Sequence, residues 1–207
     1  MQDGKDFVLD DAAKSILLRR DGADFRDIVP RTAAAGIVFI ENRVLSAATV
    51  VDFTTLDWNT YASFKITFVL TVSASMDIWM RFSQSGTVLS TGTPYGYRVD
   101  GENATFSNGA NQMIVARNVY KGAANHNEGA SGTIEIFPPV GIATAYRGAA
   151  FTSQVSHNEI TSGDNSQSLC AGQLQSNLTA IDGIRLLPST GNFPDGLVEL
   201  WGLRKAV

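Results

Sequence analysis

From Phe64 onward the chain alternates. Phe64, Ile66, Phe68, Leu70 and Val72 take every second position, with Lys65, Thr67 and Thr71 between them and Val69 the one apolar intruder. A side-chain period of two belongs to a β-strand with one face on a core and the other nearer water. After a break at Ser73 to Ser75 the pattern returns, with Ile78, Met80 and Phe82 alternating against Asp77, Trp79 and Arg81. Two such strands joined by a small-residue turn predict an antiparallel pair. We place that pair at the centre of a β-sandwich.

The remaining chain supports the same architecture. Strands are expected at Ile37 to Ile40, Val44 to Phe53, Tyr95 to Val99, Asn111 to Arg117 and Gly132 to Phe137. Others follow at Ala145 to Val155, Gln167 to Leu174, Gly183 to Leu187 and Leu197 to Leu203. Turns rich in Gly, Asn and Ser separate them, and Pro94, Pro138-Pro139, Pro188 and Pro194 stop strands. Short strands without a helix over most of the chain predict an all-β fold, a jelly-roll-like antiparallel β-sandwich. Its 207 residues suit one such domain with an extension.

That extension is the N-terminal segment, residues 1–34, where charges crowd together (Asp10, Asp11, Lys14, Arg19, Arg20, Asp21, Asp24, Arg26, Asp27). Two local structures fit it. Asp10 and Asp11 could cap a helix carrying Ala13, Ile16 and Leu17, or Ile16 to Arg20 and Phe25 to Val29 could form a hairpin turning at Asp21-Gly22. Either way we expect an attachment arm that docks on a neighbouring chain, followed by a sandwich head at 35–207.

Chemistry is sparse. The two histidines, His126 and His157, sit in no recognisable nucleophile-and-base context and are expected as exposed loop residues. Cys170 is the only cysteine, so neither an internal disulfide nor a thiolate zinc site can form, and we expect a small buried hydrophobe. Asp100 with Glu102 would be a carboxylate pair for glycoside hydrolysis, but neighbours on one turn read as solvated charges. No glycine-rich turn ends in the Lys-Ser/Thr of a phosphate loop. We therefore expect no metal, no cofactor and no enzyme activity. A net charge of −4 without a basic cluster argues against a nucleic-acid partner. The N-terminus lacks the pattern of a signal peptide and no apolar run reaches the length of a membrane span, so we expect synthesis in a cytoplasm and no membrane insertion.

Two surfaces stand out. Trp79 alternates against Ile78 and Met80 and so points away from their core, as do Val69, Trp201 and Leu203 on their own strands. Apolar side chains so placed need cover, either from a sandwich that curls enough to bury both faces or, as we expect, at an interface between subunits of a homotrimer. Polar loops are expected at Asn118 to Gly132 and at His157 to Ser166. Loops on a rigid sandwich are where binding usually sits. A saccharide is polar at its edge and apolar on its flat face, so it wants amides and carboxylates beside an aromatic ring. Candidate ligand-binding residues are Tyr95, Tyr97 and Asp100, then Tyr120, Asn125 and Asn127, then Asn158, Asp164 and Asn165.

The C-terminal run Ala180-Ile181-Asp182-Gly183-Ile184-Arg185-Leu186-Leu187-Pro188-Ser189-Thr190-Gly191-Asn192-Phe193, followed by Gly196-Leu197-Val198-Glu199-Leu200-Trp201-Gly202-Leu203, resembles the closing strands of many tailed-bacteriophage virion proteins. There a strand, a Gly-Asn-Phe turn and a last strand ending in aromatic-Gly-Leu finish a β-sandwich. Tyr61 to Phe82, continuing through Ser83-Gln84-Ser85-Gly86, is similar to the central strands of the same proteins. The resemblance covers roughly residues 45 to 207. It implies a virion surface protein, a tail-fibre or receptor-binding component, usually trimeric, whose head touches a host cell-surface glycan. Under that reading the N-terminal arm docks on another virion protein or on neighbouring copies. A decoration or adaptor protein of capsid or tail without a ligand is the alternative reading, and a small glycan depolymerase a more distant one.

Overall fold

The computed structural model describes residues 15–21, 24–31, 36–92, 94–100, 105–121, 129–142, 145–158, 165–175 and 181–205. All of its regular structure is strand. In chain order the strands are β1 (Ser15–Asp21), β2 (Asp24–Arg31), β3 (Ile37–Ala48), β4 (Val51–Phe53), β5 (Tyr61–Thr71) and β6 (Met76–Gln84). Then come β7 (Thr87–Val88), β8 (Tyr95–Asp100), β9 (Thr105–Ala110), β10 (Met113–Val119), β11 (Gly129–Phe137) and β12 (Val140–Ile142). The last are β13 (Ala145–Arg147), β14 (Ala150–Asn158), β15 (Asn165–Leu174), β16 (Gly183–Pro188) and β17 (Phe193–Arg204).

Two antiparallel sheets of unequal width face each other. The large sheet has the order β3-β17-β5-β11-β14-β15-β8-β9, and the small one β10-β6-β16-β4 with β7 paired to β6. β12 pairs with β13 in a small hairpin. The alternation at Phe64 to Phe82 marks strands correctly but not their pairing. β5 lies between β17 and β11 in the large sheet, while β6 lies between β10 and β16 in the small one. Ser73 to Ser75 is therefore a passage between sheets rather than a hairpin turn. Ser73 is held by the turn before β17, its amide donating to the Asn192 carbonyl (3.0 Å) and its hydroxyl accepting from the Asn192 amide (2.8 Å).

This arrangement gives both apolar sets one core. Phe64, Ile66, Phe68 and Leu70 face inward from the large sheet and Ile78, Met80 and Phe82 from the small one, all nearly inaccessible to water. Phe53, Phe151, Phe193, Ile134 and Ile136 complete the layer. On β17 the inward residues are Val198 and Leu200, so Trp201 and Leu203 point outward, as alternation requires.

Of the two readings of the N-terminal segment, the structure adopts the hairpin. β1 and β2 pair antiparallel from Ser15 opposite Arg31 to Asp21 opposite Asp24, and among the described strands each pairs only with the other. Ile16, Leu17, Phe25, Ile28 and Val29 are residue types that favour a pleated strand, while Gly22 of the expected Asp21-Gly22 turn lies outside the described residues.

Candidate functional site

One end of the large sheet opens into a cleft of about 890 Å³. Its walls are the end of β5 with the passage beyond it (Val69 to Ser73), the first residues of β11 and the last of β14. Asn165 at the start of β15 and Pro194 to Gly196 at the start of β17 complete it. Two glycines let these strands crowd around Leu70. A Cβ at Gly129 would collide with the Leu70 carbonyl oxygen, and one at Gly196 would lie 2.6 Å from the Val69 carbonyl oxygen. Gly196 also adopts φ +150°, which side chains rarely tolerate.

The polar rim is ordered by local hydrogen bonds. The Asp195 amide donates to Thr71 Oγ1 (3.1 Å), and the Asp195 carboxylate accepts from the Gly196 amide (2.8 Å). The Tyr120 amide donates to the Asn158 carbonyl (2.8 Å), and the Lys121 amide to Ser75 Oγ (3.1 Å). Asn158 and Asn165 are register partners at the last rung of the β14–β15 ladder. Lys121 and Gly129 bracket residues 122–128, and Asn158 and Asn165 bracket residues 159–164. The described residues that border both polar segments singled out in the sequence thus line this cleft.

The candidate ligand residues divide accordingly. Asn158 and Asn165 line the cleft, and Tyr120 is tied to its rim by its backbone. Asn125, Asn127 and Asp164 lie outside the described residues. Tyr95 requires correction: its ring is fully buried, and its hydroxyl accepts from the Phe82 amide (2.9 Å) and donates to the Leu89 carbonyl (2.8 Å). Burial also raises its pKa well above the ordinary tyrosine value. Tyr97, two residues on along the same inward face, is half-buried against the core. Only Asp100 of that trio is on the surface, in an exposed ion pair with Arg98 (2.6 Å) on β8. Since Tyr95 is opposite Leu174 and Asn165 begins β15, the trio and the cleft are separated along the sheet. Glu102, which would have joined Asp100 in a carboxylate pair, lies outside the described residues.

His157, expected as an exposed loop residue, is buried. β14 extends to Asn158, and His157 follows Phe151, Ser153 and Val155 on its inward face. Its Nδ1 lies 3.0 Å from the Asn158 carbonyl oxygen and its Nε2 2.9 Å from Ser168 Oγ. The carbonyl can only accept, so Nδ1 carries the proton and Nε2 accepts from the serine hydroxyl. Ser168 Oγ in turn accepts from the Arg117 amide (3.1 Å). Every polar atom of this buried pair is occupied, which makes it a structural bridge between β14, β15 and β10.

Sequence reasoning missed Lys121, Thr71, Ser73 and Asp195 in this cleft. The signal for Asp195 was available in the Pro194-Asp195-Gly196 turn; the others sit at strand ends whose convergence no local pattern encodes. Among the described residues no group of three or more His, Cys, Asp or Glu side chains could hold a metal ion. Among them, too, no helix is long and apolar enough to cross a membrane. No protein-family model, curated protein or solved structure matches the chain.

Proposed function

We propose that the protein is a component of a tailed-bacteriophage virion, of the tail-fibre or receptor-binding kind, that contacts a host-surface saccharide at this cleft. One observation carries the reading. Lys121, Gly129, Asn158 and Asn165, which border the polar segments 122–128 and 159–164 in the sequence, meet at one cleft, where Asn158, Asn165, Lys121 and Asp195 join the apolar Val69, Val72 and Pro194. Amides and hydroxyls beside an apolar floor suit a ring that is polar at its edge and apolar on its face. The one lysine and one aspartate offset each other, which suits a neutral sugar better than an anionic one. A shallow site of this kind binds at about millimolar strength, and many copies on one particle turn that into avidity.

A second reading, a decoration or adaptor protein without a ligand, draws on a different observation. Among the described lining residues there is no Phe, Tyr or Trp on which a sugar ring could stack. The test is adsorption of particles carrying Asn158→Ala together with Asn165→Ala. These side chains sit on the rim, so the variant protein should fold and incorporate normally while adsorption to host cells slows at least about tenfold. Normal adsorption at normal copy number would favour the decoration reading.

A further inference from the structure

We infer that Asn108 is a site of self-modification, at which the chain converts asparagine to aspartate and isoaspartate, and that Gln175 holds the reaction back. This goes beyond the saccharide reading and does not depend on it. Asn108 is the only asparagine in the sequence that glycine follows. The chemistry needs a side-chain amide carbon, a following backbone nitrogen with room to reach it, and water. Glycine supplies the room, because no Cβ obstructs the approach.

The steps balance without an oxidant or a cofactor. The Gly109 nitrogen gives its proton to hydroxide and attacks Asn108 Cγ. The bond from Cγ to the side-chain nitrogen breaks, and that nitrogen takes up a proton and leaves as ammonia. Water then opens the five-membered imide at one of its two carbonyl carbons. Attack at the backbone carbon leaves isoaspartate, with the chain running through the former side chain, and attack at Cγ leaves aspartate. Water enters and ammonia departs.

The fold sets this pair where the strand ladder does not protect it. β9 is an edge of the large sheet, and β8 is its neighbour there. The register between them shifts: Tyr95 is opposite Ala110, whereas Gly96 is opposite Asn108. Gly109 is the extra residue, with no partner on β8 and with φ +73°, the pattern of a glycine-led β-bulge. The amide that must attack is therefore the one the ladder leaves out, and Asn108 is exposed to water.

Gln175, just past β15, takes the place of the ladder. Its side chain spans both reacting groups: Nε2 donates to Asn108 Oδ1 (2.7 Å), and Oε1 accepts from the Gly109 amide (3.4 Å). The first bond holds the Asn108 carboxamide towards Gln175, and the second occupies the attacking N–H. Both must break before the ring can close. Gln175 is itself anchored, its backbone amide donating to the Pro94 carbonyl (2.6 Å). Gly96 leaves space for it, since a Cβ there would collide with Gln175 Nε2. Isoaspartate would add a negative charge and a backbone carbon at the bulge, so β9 would no longer match β8.

The test is peptide mapping of the full chain during incubation at mildly alkaline pH. Deamidation is read as the mass gain localised to Asn108, and isoaspartate as a separate chromatographic peak. Folded wild type should be modified far more slowly than the same chain unfolded in urea. Gln175→Ala should accelerate the folded protein about tenfold with an unchanged far-ultraviolet spectrum, the effect expected from releasing two hydrogen bonds of ordinary strength. Gln175→Glu keeps an acceptor for the Gly109 amide but loses the donor to Asn108, and its rate should fall between; if the alanine variant loses the native spectrum, this variant decides. Asn111, which glutamine follows, should stay unmodified throughout. Overturning results are a folded wild type as reactive at Asn108 as the unfolded chain, folded Gln175 variants with the wild-type rate, or aspartate formed without isoaspartate.

Discussion

Two buried residues that carry polar hydrogens define how the core responds to chemistry. Cys170 faces inward on β15, and burial pushes its thiol from the ordinary 9.0 up to about 12. The unfolded chain would therefore lose this proton first as pH rises. The contribution to stability is complete below about pH 9 and is lost between there and pH 12, a range in which the buried Tyr95 hydroxyl adds to the same slope. Urea unfolding should show stability falling above pH 9, less steeply for Cys170→Ala. At about pH 8 the native thiol should resist Ellman's reagent and react once the chain is unfolded. Tyr95→Phe isolates the other group. It leaves the Phe82 amide and the Leu89 carbonyl without their partner, at a cost of about 1–3 kcal/mol in urea unfolding, whereas an exposed ligand-binding tyrosine would lose none. The sequence marks Cys170 as a small buried residue, as found, whereas Tyr95, opening an expected strand after Pro94, reads there as a ligand-binding residue. Its burial depends on β8 pairing with β15, where Tyr95 meets the distant Leu174, and no local pattern announces that contact.

At the scale of strands, the period-two pattern was a sound guide to which residues face the core and a poor guide to which strands are neighbours. The inward sets of β5 and β6 read identically whether the two strands pair in one sheet or face each other across the core, because alternation specifies a face and not a partner. The cleft was half legible for the same reason. Asn158 and Asn165 were visible as polar residues in a turn-rich stretch, but Asp195 and Thr71 join them only because β17 lies beside β5. Trp79, grouped with Val69, Trp201 and Leu203 in the sequence, lies on the other sheet beside Ile114 and Leu187 and is half-buried against the chain's own core. The three others share the large sheet. Glycine positions give the sharpest test of this arrangement. Gly196→Ala would place a Cβ against the Val69 carbonyl at an unfavourable φ, so the start of β17 must shift. We expect a loss of about 2–3 kcal/mol by thermal or urea unfolding, and a value near zero would mean that β5 and β17 do not approach as described.

The whole molecule divides where composition changes. The charged N-terminal segment folds as a hairpin paired to itself, whereas β3 to β17 hold a core whose large side chains come from both sheets. Stability should follow that division. Removing residues 1–35 takes away β1 and β2, and no rung of either main sheet includes them. β3 keeps its ladder to β17 from Phe193 opposite Ala48 to Leu203 opposite Ile37, so the truncated protein begins just before the first residue of its edge strand. We expect the truncated chain to melt within about 2 °C of the full one, because the truncation removes no strand of either main sheet and no residue of the described core. If the hairpin is the attachment arm proposed from its charge, the same truncation should abolish incorporation into particles, and raised salt should weaken incorporation of the full chain by screening its charges. The two readouts separate the roles. A large drop in melting temperature would make the hairpin part of the head, whereas a folded truncation that still incorporates at full copy number would leave attachment to the sandwich itself.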